Sequence, residues 1–310
     1  MAGSATPQTG AFDIPANGTL SCTYRLNLGS AKVKASVADG GASVKGLAKV
    51  AYTFQAIVET PGNGTGSTSG DFYLKNNTTG QTYTAAEVQA HANAIAAGDA
   101  SVRAAYEAFL ADESRYECKT KWGGVVYDVR IIGINHDAKS GGGTAGLTFQ
   151  FKNLLNTTAQ MNTSNTNSGG WGSSALRTSM NSGAIWNTVP ADLQNRIVQV
   201  DKEYGADAKS TAATVSISKD KLFLASYYEH TGSVYSGWSS YQWLAKEGRQ
   251  YAYWNGKVTQ NYSGNNDLRK GLQSSPSSFT NWWERSVNPS YSTGFLGVYA
   301  GGDRSNIRNA

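Results

Sequence analysis

Two adjacent tryptophans, Trp282 and Trp283, constrain this chain more than any other feature. Successive side chains of a strand point to opposite faces, so the two rings cannot share one side. One ring must face a core, and the other a second layer or a binding surface. Further on, Gly294-Phe295-Leu296-Gly297-Val298-Tyr299 is a short apolar strand candidate. Ala300-Gly301-Gly302-Asp303 then supplies the positive-φ residues of a tight hairpin turn. The stretch from Arg304 to Asn309 is almost wholly polar. An aromatic floor with a polar, glycine-punctuated rim has the composition of a recognition surface, with Tyr for contact area and Ser, Gly and Asn for adaptable hydrogen bonds. A solvated terminal hairpin is the plainer reading of the same residues.

Length and charge limit the partners. A chain of 310 residues has room for two domains or for one domain with an appendage. Only 16% of residues are charged, and 35 glycines against 6 prolines make the chain turn-rich and β-heavy. The 27 basic and 22 acidic residues are spread along the chain with no basic stripe, which argues against nucleic acid as a partner. Low charge with many Trp and Tyr suits neutral ligands such as glycans, or another protein. No apolar segment is long enough for membrane insertion. Met1 to Gln8 lacks the basic start and apolar run of a secretory signal. Cys22 and Cys118, far apart, make neither a disulfide framework nor a zinc site with the dispersed His91, His136 and His230.

Four segments follow in order. Residues 1–60 alternate with period two, as in Leu20 to Leu26 and Val50 to Val58, and form a small antiparallel β module. Its apolar side chains are few, so it is expected to lean on a partner and serve attachment. Residues 61–79, opening with Pro61-Gly62-Asn63-Gly64, have the composition of a flexible linker. Residues 80–113 form a helical hairpin. Thr84 and Glu87 make a capping box at its start, Gly98 divides it, and Val102, Ala105, Tyr106, Phe109 and Leu110 line one apolar stripe. His91, on an Ala-rich background, reads as solvated. The hairpin either packs on a domain or bundles with copies of itself.

The rest, residues 114–310, mixes elements. Tyr127 to Ile134, Leu147 to Phe151 and Lys221 to Ser226 read as strands. Trp171, Ala175, Leu176 and Ser179 follow helical spacing, with Ser173 and Ser174 near the first turn and Asn181-Ser182-Gly183 at the end, and Pro190 stands in the first turn of another helix. His136-Asp137 and Glu229-His230 are the His–carboxylate neighbours that could do acid–base chemistry, although no nucleophile motif lies near either.

Three motif groups, in this order, carry a resemblance: Gly169-Gly170-Trp171-x-x-Ser174-x-x-Arg177 with Asn181; Lys221-Leu222-Phe223-Leu224-x-Ser226-x-x-Glu229 with Glu247-Gly248-x-Gln250-Tyr251-x-Tyr253; and Trp282-Trp283-x-Arg285-Ser286. From Tyr116 to Ala310 the chain resembles a family of domains of unassigned function, common in gut bacteria and their phages, related to the C-type lectin-like and formylglycine-generating-enzyme-like fold. The resemblance implies an α+β chain whose C-terminal domain is C-type lectin-like. It also implies a non-enzymatic binding protein, because the enzyme relatives need a C-terminal cysteine pair and no cysteine follows Cys118. No cofactor or metal is expected: Trp254-Asn255-Gly256 lacks the carboxylate of calcium-dependent lectins. Some members of the wider fold are diversified by retroelements at adenine-containing codons.

On this reading the ligand contacts are Asn288, Ser290, Tyr291, Ser292, Tyr299, Asp303, Arg304, Asn306, Arg308 and Asn309. Trp171, Arg177, Trp282, Trp283 and Arg285 are scaffold. The expected function is receptor binding on a phage virion, in a tail fibre or surface decoration, as a homo-oligomer attached to other virion proteins through residues 1–60. The ligand would be a host cell-surface protein or glycan. The alternatives are a structural virion decoration and a bacterial surface protein without a diversified site.

Overall fold

The computed structural model describes residues 64–258 and 262–308, the last four of these as backbone only. The β module expected over 1–60, Cys22 and Asn309 lie outside the described residues, as do the side chains of Asn306 and Arg308. The described part is α+β, with antiparallel sheets and short helices.

Residues 64–79, linker-like in composition, contain strand β1 (Phe72–Asn76), and the Gly66 N–H already bonds the Thr82 carbonyl at 2.8 Å. With β2 (Thr82–Tyr83), β3 (Tyr116–Trp122), β4 (Val125–Ile134) and β5 (Leu147–Phe151), β1 builds a five-stranded sheet in the order β2-β1-β3-β4-β5. Helices α1 (Ala85–Ala96) and α2 (Ala100–Ala111) lie between β2 and β3 in sequence and pack on this sheet.

Local chemistry explains where they begin and end. Thr84 Oγ1 accepts the Glu87 N–H at 3.2 Å while the Glu87 carboxylate accepts the Thr84 N–H at 2.7 Å, so two orphan donors at the start of α1 are satisfied at once. Gly98 adopts a φ of 94°, which ends α1, and Asp99 caps α2 through the Ser101 and Val102 N–H groups. The α2 stripe of Val102, Tyr106 and Phe109 is buried against Leu74, Tyr116, Val129 and Ile131. Each such side chain stabilises by about 1.5–3 kcal/mol, and the sheet of the same chain covers this stripe. His91 departs from its solvated reading. It is half-buried, with Nδ1 2.9 Å from the Tyr106 hydroxyl and its ring edge-on to Tyr83.

After β5 the chain forms helices α3 (Ala175–Ser182) and α4 (Ala191–Arg196), the pair β6 (Val200–Tyr204) and β7 (Ser216–Asp220), and the short helix α5 (Tyr227–Thr231). The pair β8 (Lys270–Leu272) and β9 (Ser275–Thr280) follows, and then the sheet β10 (Trp282–Val287), β11 (Gly294–Val298) and β12 (Arg304–Arg308). Every residue of β11 is buried, as its unbroken apolar run predicts for the central strand. The Trp282 and Trp283 rings part company as the pleat demands: Trp282 packs on the core around Tyr251 and Trp254, Trp283 on the core around Trp171 and Trp243.

Lys221 to Ser226 is not a strand. Several of its N–H and C=O groups are taken by side chains instead: Asn181 Oδ1 accepts the Lys221 and Leu222 N–H groups, and Arg285 donates to the Leu224 carbonyl. That bonding is what Asn181, in one motif group, and Arg285, in another, do for the fold.

Candidate functional site

Two of the three motif groups, the second and the third, converge on one buried ionic network. Ser226 begins α5 with a capping box, so the Glu229 carboxylate turns inward and accepts the Ser226 N–H at 3.0 Å. Arg285, on β10 and fully buried, meets that carboxylate with both terminal nitrogens, and Lys202 on β6 meets it from the other side at 2.5 Å. Lys202 also bonds Asp137 at 2.7 Å, and Asp137 accepts from the Tyr251 and Thr148 hydroxyls. Arg285 spends its remaining donors on the backbone carbonyls of Glu203, Leu224 and Glu247. Such an arginine is a five-pronged tie between segments distant in sequence.

Burial pushes the Glu229 carboxyl up, but Arg285 and Lys202 more than reverse it and hold the group down at about 2. Glu247 lies in the same layer, bonded by the Gly205 N–H at 2.7 Å and by the Ser286 hydroxyl. There burial wins over Arg285 and pushes the carboxyl up to about 7. A second buried tie joins the first motif group to β7. Asp220 accepts from the Trp171 indole at 2.8 Å, from Arg177 at 2.6 Å and from Ser218 at 2.7 Å.

His136, Asp137 and Glu229 bring donor atoms within 4.8 Å of one another, close enough in principle for a metal ion. The Lys202 ammonium, however, lies between the two carboxylates, where it supplies the positive charge a cation would bring. Neither neighbouring His–carboxylate pair forms a hydrogen-bonded dyad. His136 stacks on the Tyr251 ring at 4.0 Å, and Asp137 turns to Lys202. His230 bonds Glu284 at 2.8 Å rather than Glu229, and burial lowers its pKa against the pull of Glu284.

The strand that carries Arg285 leads into the turn between β10 and β11. Asn288 Oδ1 accepts the Ser290 and Tyr291 N–H groups, an Asx turn. Asn167 clamps the same turn by donating to the Tyr291 and Gly294 carbonyls at 2.8 and 2.7 Å. Ser290, Tyr291 and Ser292 are exposed, Tyr291 at 54%. At the next turn Gly302 adopts a φ of 88°, the Tyr299 N–H bonds the Asp303 carbonyl, Asp303 is exposed and Tyr299 half-buried.

Two residues expected as contacts belong elsewhere. Asn288 is 3% exposed, and its carboxamide is committed to the turn. Arg304 is fully buried, with its guanidinium 3.6 Å from Glu284 and facing the Tyr227 ring, because it opens β12 beside the fully buried β11. Of the five scaffold residues, Trp171 and Arg285 are fully buried. Arg177 pairs with Asp220, while Trp282 and Trp283 each donate an indole N–H to a backbone carbonyl.

Lys202, Asp220 and Glu284 escaped the sequence reading. One signal was present: Lys202 occupies an inward position of the Val200-x-Lys202-x-Tyr204 alternation, where an apolar residue is normal.

Residues 146–310 match the model of the DUF6273 family, a domain of unknown function, and the chain belongs to that family. All three motif groups and both exposed turns fall within the matched span. No curated protein and no solved structure matches the chain.

Proposed function

We propose that this chain is a non-enzymatic recognition protein that presents the exposed turns of its C-terminal sheet, on a C-type lectin-like scaffold, to a host cell-surface protein or glycan. The observation that carries this reading is the construction of the turn at 288–293. Its backbone is pinned from beneath by Asn288 and Asn167, while Ser290, Tyr291 and Ser292 point outward. A rigid backbone with a free aromatic lowers the entropy cost of binding, the property that favours Tyr in recognition loops. The buried carboxylates of the network are occupied by Lys202, Arg285 and backbone N–H groups, as suits a support.

The setting proposed with it is a phage virion, in a tail fibre or surface decoration. Residues 1–60 would attach the chain there, and homo-oligomeric display would multiply a weak single-site affinity by orders of magnitude. The test is binding of the full chain to an array of bacterial surface polysaccharides and to bacterial outer-surface protein extract. Specific capture that Tyr291→Ala and Ser290→Ala together abolish, with the unfolding midpoint unchanged, supports the reading. Capture unaffected by those changes removes it, and no capture at all leaves a structural decoration as the better description.

A further inference from the structure

Beside the outer edge of β5 the described residues line a half-open pocket of about 560 Å³. Protein interiors leave few voids larger than a water molecule, whereas ligand pockets run from roughly 300 to 1,000 Å³. Its walls are mainly apolar: Phe149 from β5, Leu155 beyond it, Met180 from α3, Leu193 from α4 and Phe223 from the extended segment. Apolar walls left in contact with water are unfavourable by roughly 25 cal/mol per Å², which an apolar ligand chain covering them would recover.

The chamber is not uniformly apolar. Lys270, at the start of β8, lines it and is 5% exposed. Its ammonium donates to the Phe151 carbonyl at 2.7 Å and faces the Trp282 ring at 5.2 Å. No carboxylate among the described residues forms an ion pair with it. One of its three N–H donors has a protein acceptor. Burial pushes the pKa of the Lys270 amine well down, since no counter-charge offsets it, and an anionic ligand head placed beside it between apolar walls restores the charge.

We propose that this chamber binds a single-chain amphiphile with a carboxylate head, a fatty acid, whose head pairs with Lys270 and whose chain lies along the apolar walls. The site is separate from the exposed turns, and nothing in it depends on the recognition reading.

The experiment uses the full chain, stripped of lipid by a hydrophobic resin, with dodecanoate and 1-dodecanol as probes. Calorimetry and native mass spectrometry read affinity and stoichiometry. One equivalent of dodecanoate is expected to bind, and Lys270→Met is expected to weaken it by roughly 10-fold or more while 1-dodecanol changes little, because only the charged head loses its partner. Methionine suits the apolar surroundings, so this variant should keep its fold. Thr158→Trp, at an exposed position of the lining, obstructs the chamber without touching Lys270 and is expected to weaken both probes. The proposal is overturned if the wild-type chain takes up no dodecanoate, if Lys270→Met leaves dodecanoate affinity unchanged, or if Thr158→Trp affects neither probe.

Discussion

Glu229 and Glu247 belong to one buried layer, yet they titrate at opposite ends of the carboxylate range, and this gives the protein a pH signature. Glu229, held at about 2 against an ordinary 4.5, contributes stability that is complete above pH 4.5 and lost as pH falls toward 2. Glu247, raised to about 7, binds its proton more tightly in the folded state. Stability therefore falls as pH climbs from 4.5 through 7, by on the order of 3 kcal/mol from this group. Urea unfolding across that range should show the decline, and Glu247→Gln, which stays neutral, should flatten it. Charge removal is harsher: Glu229→Gln leaves Arg285 and Lys202 without their shared counter-ion and is expected to cost about 3–5 kcal/mol in the same assay. Asn288→Ala removes two turn bonds and should cost roughly 1–2 kcal/mol. That change would mark Asn288 as support for the turn, whereas a surface contact residue would tolerate it without loss of stability.

Helices α1 to α4 and strands β4, β5, β10 and β11 were legible because their signals are local, whereas β1 to β3 and β6 to β9 were not read as strands. Thr84 with Glu87 marked the start of α1, Gly98 its end, and the alternation or apolar runs around Tyr127, Leu147 and Phe295 marked strands that the structure contains. Lys221 to Ser226 was misread because its partners, Asn181 and Arg285, lie far off in the chain and no periodicity records them. The ionic network was half legible for the same reason. Glu229, Glu247 and Arg285 stood in motifs, but the pairing of Lys202 with Asp137 and Glu229 spans 65 and 27 residues. Burial of Asn288 and Arg304 was hidden because Asn and Arg look the same in a rim and in a pinned strand end. Packing of α1 on the sheet can be tested at Gly146, where a Cβ would come within 1.8 Å of the Ala92 carbonyl oxygen. Gly146→Ala must push α1 away from β5 and is expected to cost about 1–3 kcal/mol, or more if the backbone cannot yield. Amide exchange in α1 should rise with it.

At the scale of the whole molecule the described residues divide labour. A five-stranded sheet carries two helices on one core, and three further cores join residues of the DUF6273 span to one another and, in two of them, to residues that precede it. No helix among the described residues is long and apolar enough to cross a membrane. What such a frame leaves free to change is a small set of exposed side chains at the turn between β10 and β11, Ser290, Tyr291 and Ser292. The most direct test is to sequence the coding region for Asn281 to Ala310 across sibling isolates. Recognition by this surface predicts substitutions concentrated at those positions, and restricted to adenines if a retroelement drives them, with Trp282, Trp283, Arg285, Asn288 and Arg304 unchanged. Substitutions spread evenly over the segment, or falling on the buried residues as often as on the exposed ones, would contradict it.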